Sequence, residues 1–315
     1  MSRTGHGWRL ARAVVAALAL WTMGALQGCK THDDAVAAAE QMAETAATMQ
    51  RYFATLDTLI VKNEEAQRAQ SYLLRVDFDA AALGQMEDTR AEIGKRARLA
   101  AEVARISAAF AEITSSQADH EAATAAGALK SELTTLKLGA SSDAAAKALL
   151  AAVTSLVNAV RAHDEVKAAK LLEPVMAALC DFYDSEKPLY VSVADGYYAA
   201  AASNAKELIR RDQVATNERY RSSLEPFGLQ PDVHAPELLK AVHEDLKQQV
   251  EQRLLQHKRD DADAADALGE ALHRMRERVD AVAKGRALRV RMPPLTLAGV
   301  KAWVAEVQME TGVSL

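Results

Sequence analysis

Only two cysteines, Cys29 and Cys180, occur in 315 residues, so the chain carries no disulfide framework and must hold itself together by burial. Glycine (14) and proline (7) are sparse, and aromatic residues make up only 5% of the chain. That usage argues against a sheet punctuated by tight turns. No Gly-rich phosphate loop and no Gly-x-Ser-x-Gly nucleophile turn can be found, which weakens any NTPase or hydrolase reading. The formal charge is −5, with no basic excess to meet a phosphate backbone, and nucleic acid is not an expected partner. What is present in quantity is alanine, the strongest helix former, in sequences that repeat apolar positions every three to four residues. The expected fold is all-α: long antiparallel helices with close-packed, heptad-type seams, divided into two sub-bundles or joined by a continuous helix.

The amino terminus has a different character. Arg3, Arg9 and Arg12 precede any acidic residue and lead into the run Ala13 to Leu26, which ends at Gly28 and Cys29. A basic start, a short apolar stretch and a small residue at its end are the layout of a secretory signal. A membrane-spanning helix needs about 20 apolar residues, and Lys30, Thr31, His32, Asp33 and Asp34 arrive before that length is reached.

Leu26-Gln27-Gly28-Cys29 resembles the lipobox of bacterial lipoproteins, with Leu26 three places before the cysteine and Gly28 immediately before it. The resemblance covers residues 1–29 only. It implies diacylglycerol on the Cys29 thiol, cleavage between Gly28 and Cys29, and acylation of the new amino group by a palmitate-type chain; no other cofactor is expected. Two or more acyl chains hold a protein on a bilayer where one binds only reversibly. Lys30, in place of the Asp that resembles an inner-membrane retention signal, favours the outer membrane by analogy. The alternative is an ordinary signal peptidase cutting nearby and releasing a soluble periplasmic protein. Removing residues 1–28 takes three of 38 basic residues and no acidic one, leaving 35 against 43 and a formal charge of −8. With Cys29 acylated, Cys180 has no partner in the chain, and its neighbours Met176 to Leu179 suggest a buried helix face.

After a short tether at 29–34, a four-helix bundle is expected over 35–172. Its first seam runs Ala35, Ala39, Met42, Ala46, Met49, Phe53, Leu56 and Ile60, with an end near Val76 to Asp79. A second helix from Ala80 to Thr114 carries Leu99, Val103, Ile106, Phe110 and Ile113. Ser115 and Ser116 cap a third, with Ala122, Ala126, Leu129, Leu133 and Leu136, that stops at Gly139. Ser141, Ser142 and Asp143 cap a fourth, with Ala146, Leu149, Val153, Leu156, Val160 and His163.

A C-terminal helical region is expected over 173–315, with Pro174 and Pro188 marking changes of character. A helix from Leu189 to Leu224 is followed by a loop, Glu225 to Pro236, and by a helix from Pro236 to Lys284. The polar middle of that helix, His257 to Asp266, reads as solvent-exposed or as a break. Pro293-Pro294 precede a last short helix with Thr296 as its cap and Val300, Trp303, Val304 and Val307 as its apolar face.

Two groups of residues are interface candidates. Phe182, Tyr183, Tyr190, Tyr197 and Tyr198 would form either an aromatic contact surface or the wide end of the core, the second being favoured. Lys284, Arg286, Arg289 and Arg291, followed by Trp303, would meet anionic headgroups or acidic glycans, or form a solvated turn. His257 and Asp261, one helical turn apart and possible companions of His243 and Glu244, are a metal pair in principle; the expectation from spacing alone is that no metal is bound. No catalytic residue is assigned. The expected function is that of a non-enzymatic, lipid-anchored helical scaffold or binding module at the outer membrane, with a protein partner or self-association expected beside the membrane. The alternative is an inhibitor or immunity-type lipoprotein acting on a toxin or an envelope hydrolase.

Overall fold

The structure, a computed structural model, describes residues 7–112, 118–137, 140–214, 236–284 and 296–313, with side chains from residue 34 onward apart from a few positions at helix starts. Among these residues the chain is an all-α helical bundle of seven helices and no strand. They are α1 (Gly7–Leu74), α2 (Ala80–Ala111), α3 (Ala118–Thr135), α4 (Ala140–Arg161), α5 (Glu165–Arg210), α6 (Pro236–Ala283) and α7 (Ala298–Thr311).

The heptad seam is the physical reason for α1. Ala35, Ala39, Met42, Ala46, Met49, Phe53, Leu56 and Ile60 are all buried, as one stripe of a 3.5-residue repeat must be when it faces other helices. Leu99, Val103, Ile106 and Phe110 of α2, Leu129 and Leu133 of α3, and Leu149, Val153, Leu156 and Val160 of α4 are buried in the same way. The last turn of α7 closes on Gly312, whose φ of 67° favours glycine and whose N–H donates to the Gln308 carbonyl at 3.0 Å.

The helices form two compact units, each drawn from three segments. One comprises Met1–Ala47, Arg98–Asp184 and Gly269–Thr296; the other comprises Thr48–Ala97, Ser185–Leu268 and Leu297–Leu315. A sequential division at residue 172 is therefore not the one observed, because α1, α2, α5 and α6 are each long enough to contribute to two cores. In the first unit α3 packs on α4. Ser142–Arg161 of α4 is apolar and long enough to cross a membrane by composition, but its seam is spent on this core.

Pro174 and Pro188 both lie inside α5, where each removes one N–H donor at a cost of about 3 kcal/mol. Burial of Leu172, Val175, Met176 and Leu179 around the first, and of Tyr190 and Ala194 beyond the second, outweighs that cost. The polar middle of α6 is neither a break nor wholly exposed: the helix continues through it, with Asp261, Ala264 and Ala265 buried. Thr296 does not cap α7; Leu297 occupies that position without a side-chain hydrogen bond. His163 sits past the end of α4 at φ 50° and is exposed, so it does not extend that seam. Ile113, Ser115, Ser116, Gly139 and the loop at 225–235 lie outside the described residues.

The core of the second unit contains a charge. The Arg96 guanidinium, 1% exposed, grips the Glu186 carboxylate with two bonds of 2.6 Å and also donates to the Glu92 carbonyl at 2.8 Å. The Tyr190 hydroxyl donates to Glu186 Oε2 at 2.7 Å, and its ring meets Phe53 edge-on at 4.9 Å. Burial is the largest influence on Arg96 and opposes its charge, but the bond to Glu186 together with the charges of Tyr190, Glu186 and Glu92 outweighs it and raises the guanidinium pKa; burial followed by Glu186 pushes the Tyr190 phenol well up. Breaking such a pair from one side strands the other charge, which costs about 3–5 kcal/mol. Arg96→Met should therefore lower unfolding free energy in urea by about that amount, while a change under about 1 kcal/mol would show that Glu186 is served by other donors.

Candidate functional site

The site is built in the second unit from α5, α6 and α7. Helical periodicity places Asp195 and Tyr198 on one face of α5, His257 and Asp261 on one face of α6, and Trp303, Glu306 and Glu310 on one face of α7. The Tyr198 ring stacks on the His257 imidazole with centroids 4.0 Å apart and planes 6° from parallel. Its hydroxyl donates to Glu310 Oε2 at 2.8 Å, and the other oxygen of that carboxylate stands 3.7 Å from His257 Nε2. One ligand atom each from His257, Glu306 and Glu310 lie within 4.8 Å of one another. Beside them an open groove of about 910 Å³ is lined by Tyr197, Tyr198, Ala201, Leu246, Val250, Arg253, His257 and Glu310.

Behind this cluster is a buried acid. Asp261 is 1% exposed; its Oδ1 accepts from the Trp303 indole N–H at 2.8 Å, and its Oδ2 has no hydrogen-bond partner. Burial, reinforced by Asp195, Asp260 and Glu310, raises its pKa from 3.8 to about 7 against the opposing bond from Trp303. Burial, then the bond to Glu310, pushes the Tyr198 hydroxyl up as well. Lys258 stands 3.8 Å from Asp195 and is the nearby counter-charge on α6.

The candidates read from sequence are distributed unevenly around this site. Tyr197 and Tyr198 line the groove. Phe182 and Tyr183 are fully buried in the first unit and Tyr190 is fully buried in the second, so these three rings are core and present no contact surface. Trp303 is 5% exposed, committed to Asp261 and packed on Tyr52 at 5.1 Å, which removes it from the basic cluster. Lys284 is exposed and paired with Asp280, while Arg286, Arg289 and Arg291 lie outside the described residues. The side chains of Gly28 and Cys29 lie outside them too. Cys180 is fully buried, and burial, aided by Asp184, pushes its thiol up to about 12, which leaves it inert as a nucleophile at neutral pH.

His243 is separated from His257 by about 21 Å of helix and meets Asp212 at 3.3 Å, so the two histidines cannot share a ligand. The His257 and Asp261 spacing was legible, but Glu306 and Glu310 were not: they belong to a helix read only for its apolar face, and only tertiary packing brings them to His257. Comparison with protein families, with curated proteins and with solved structures finds no match.

A carboxyl whose pKa is raised in the folded chain keeps its proton where the unfolded chain has lost it. Its contribution is full below about pH 4 and fades as pH rises to about 7, where the buried group ionises. Thermal melts in the presence of a chelator should show Asp261→Asn gaining on the native chain as pH rises from about 4 to about 7. A gap independent of pH would mean that Asp261 is ionised throughout.

Proposed function

We propose that this chain is a bacterial envelope lipoprotein, anchored at the outer membrane through an acylated Cys29 and facing the periplasm, and that its helical domain is a non-enzymatic binding module. The observation that carries the anchor is the order of residues at the amino terminus: Arg3, Arg9 and Arg12, the apolar run Ala13 to Leu26, then Gly28 and Cys29. The binding reading rests on the groove beside Tyr197 and Tyr198. Tyrosine offers broad apolar area with a polar tip, and the lining adds apolar Ala201, Leu246 and Val250 and the charge of Arg253. A mature charge of −8 suits a basic protein partner, which is also the chemistry an inhibitor of a toxin or envelope hydrolase would need.

In the producing cell, the membrane fraction should yield a Cys29 peptide carrying acyl mass, and Cys29→Ser should move the protein out of that fraction. An unmodified Cys29 thiol in the membrane fraction would overturn the anchor. Filling the groove with Ala201→Trp should remove the principal crosslinked partner from intact cells; an unchanged crosslinking profile would remove the groove from the binding reading.

A further inference from the structure

We propose that His257, Glu306 and Glu310 form a binding site for a divalent first-row transition-metal ion, with Zn²⁺ the ion they suit best. The three donors come from two helices, and their ligand atoms are already within 4.8 Å of one another. Bonds of about 2.0–2.2 Å to a shared ion in tetrahedral geometry set ligand atoms roughly 3.5 Å apart, so donors within 4.8 Å draw in by about 1 Å. One imidazole nitrogen with two carboxylates is a borderline donor set that suits zinc or its first-row neighbours, whereas calcium takes six to eight oxygens. Three protein ligands leave a coordination position open, and the groove lined by His257 and Glu310 supplies the path by which an ion or an added ligand reaches it.

The surroundings of the cluster point the same way. The Tyr198 hydroxyl holds Glu310 at 2.8 Å and its ring holds the imidazole flat at 4.0 Å, so two of the three ligands are oriented by a residue that is not itself a ligand. Asp261, one turn along α6 from His257, is almost fully buried with one oxygen unpartnered, and it lies within the field of Glu310. Asp195 adds a second buried carboxylate oxygen without a partner, also within reach of Asp261 electrostatically. A cluster of carboxylates behind a histidine is costly unless positive charge offsets it, and Lys258 at 3.8 Å from Asp195 is a weak offset. A divalent ion between α6 and α7 relieves that repulsion. The site does not depend on the lipid anchor, so either can fail without the other.

The test uses the full chain, purified in detergent, stripped with chelator and dialysed against micromolar free Zn²⁺. One equivalent of zinc per chain is expected, retained against millimolar Ca²⁺ and Mg²⁺. His257→Ala should abolish uptake, Glu306→Gln and Glu310→Gln should each weaken it by about tenfold or more, and His243→Ala should leave it unchanged. With Co²⁺ as a spectroscopic stand-in, the visible absorption of the native chain should be lost in His257→Ala. Glu306 is a half-buried surface residue, so Glu306→Gln, with helical circular dichroism unchanged, decides the matter should the other variants misfold. No stoichiometric uptake, or uptake that survives both His257→Ala and Glu306→Gln, would overturn the site.

Discussion

The helices of this protein bury narrow apolar stripes in which alanines are set among leucine, valine, isoleucine and methionine, and that constraint governs the rest of the structure. Small side chains let helices approach closely, but they bury little area apiece, so the seams must be long to contribute enough. The long α1, α5 and α6 are the consequence. Large residues enter where the seam widens: Tyr52, Phe53, Tyr190 and Trp303 in one unit, Phe182 and Tyr183 in the other. Tyrosine and tryptophan bring polar tips with them, and each buried tip needs a partner. Tyr190 finds Glu186, which needs Arg96; Trp303 finds Asp261. The buried polar groups of the second unit thus accompany the wide aromatic side chains of its core.

The two polar sites are solved differently. Glu186 is held by a guanidinium and a phenol, so its charge is met from both sides. Asp261 has one indole donor and three acidic neighbours, and its carboxyl responds by holding its proton to near neutral pH. The first arrangement is closed and serves the fold. The second is left with one unpartnered oxygen and unmatched acidic charge around it, and that difference sets it apart.

Much of the fold could be read from the residues. The seam from Ala35 to Ile60 and the span of α6 were legible because a heptad repeat and a proline at the first helical position are local signals. Pro188 misled for the same reason, since a helix was expected to begin at Leu189, whereas a continuous helix across Pro174 was one of two readings: the local cost of proline is real, but long-range burial along α5 exceeds it. The two discontinuous units were not legible, since nothing local marks the point where a seam changes the neighbours it faces. Of the site, only the His257 and Asp261 spacing lay in one stretch of sequence. Glu306 and Glu310 looked like the wet face of a short helix, and Tyr198 gave no hint that its ring would lie flat on an imidazole 59 residues away.

Pro188 has a consequence for how the molecule comes apart. Lacking an N–H, it leaves the Asp184 carbonyl without its usual donor four residues on, and Asp184 and Ser185 are the residues at which α5 passes from one compact unit to the next. A missing rung at that junction weakens the tie between the two halves of the helix at the point where the unit changes. Native-state hydrogen exchange would then find the amides that flank this residue less protected than those in the middle of either half of α5.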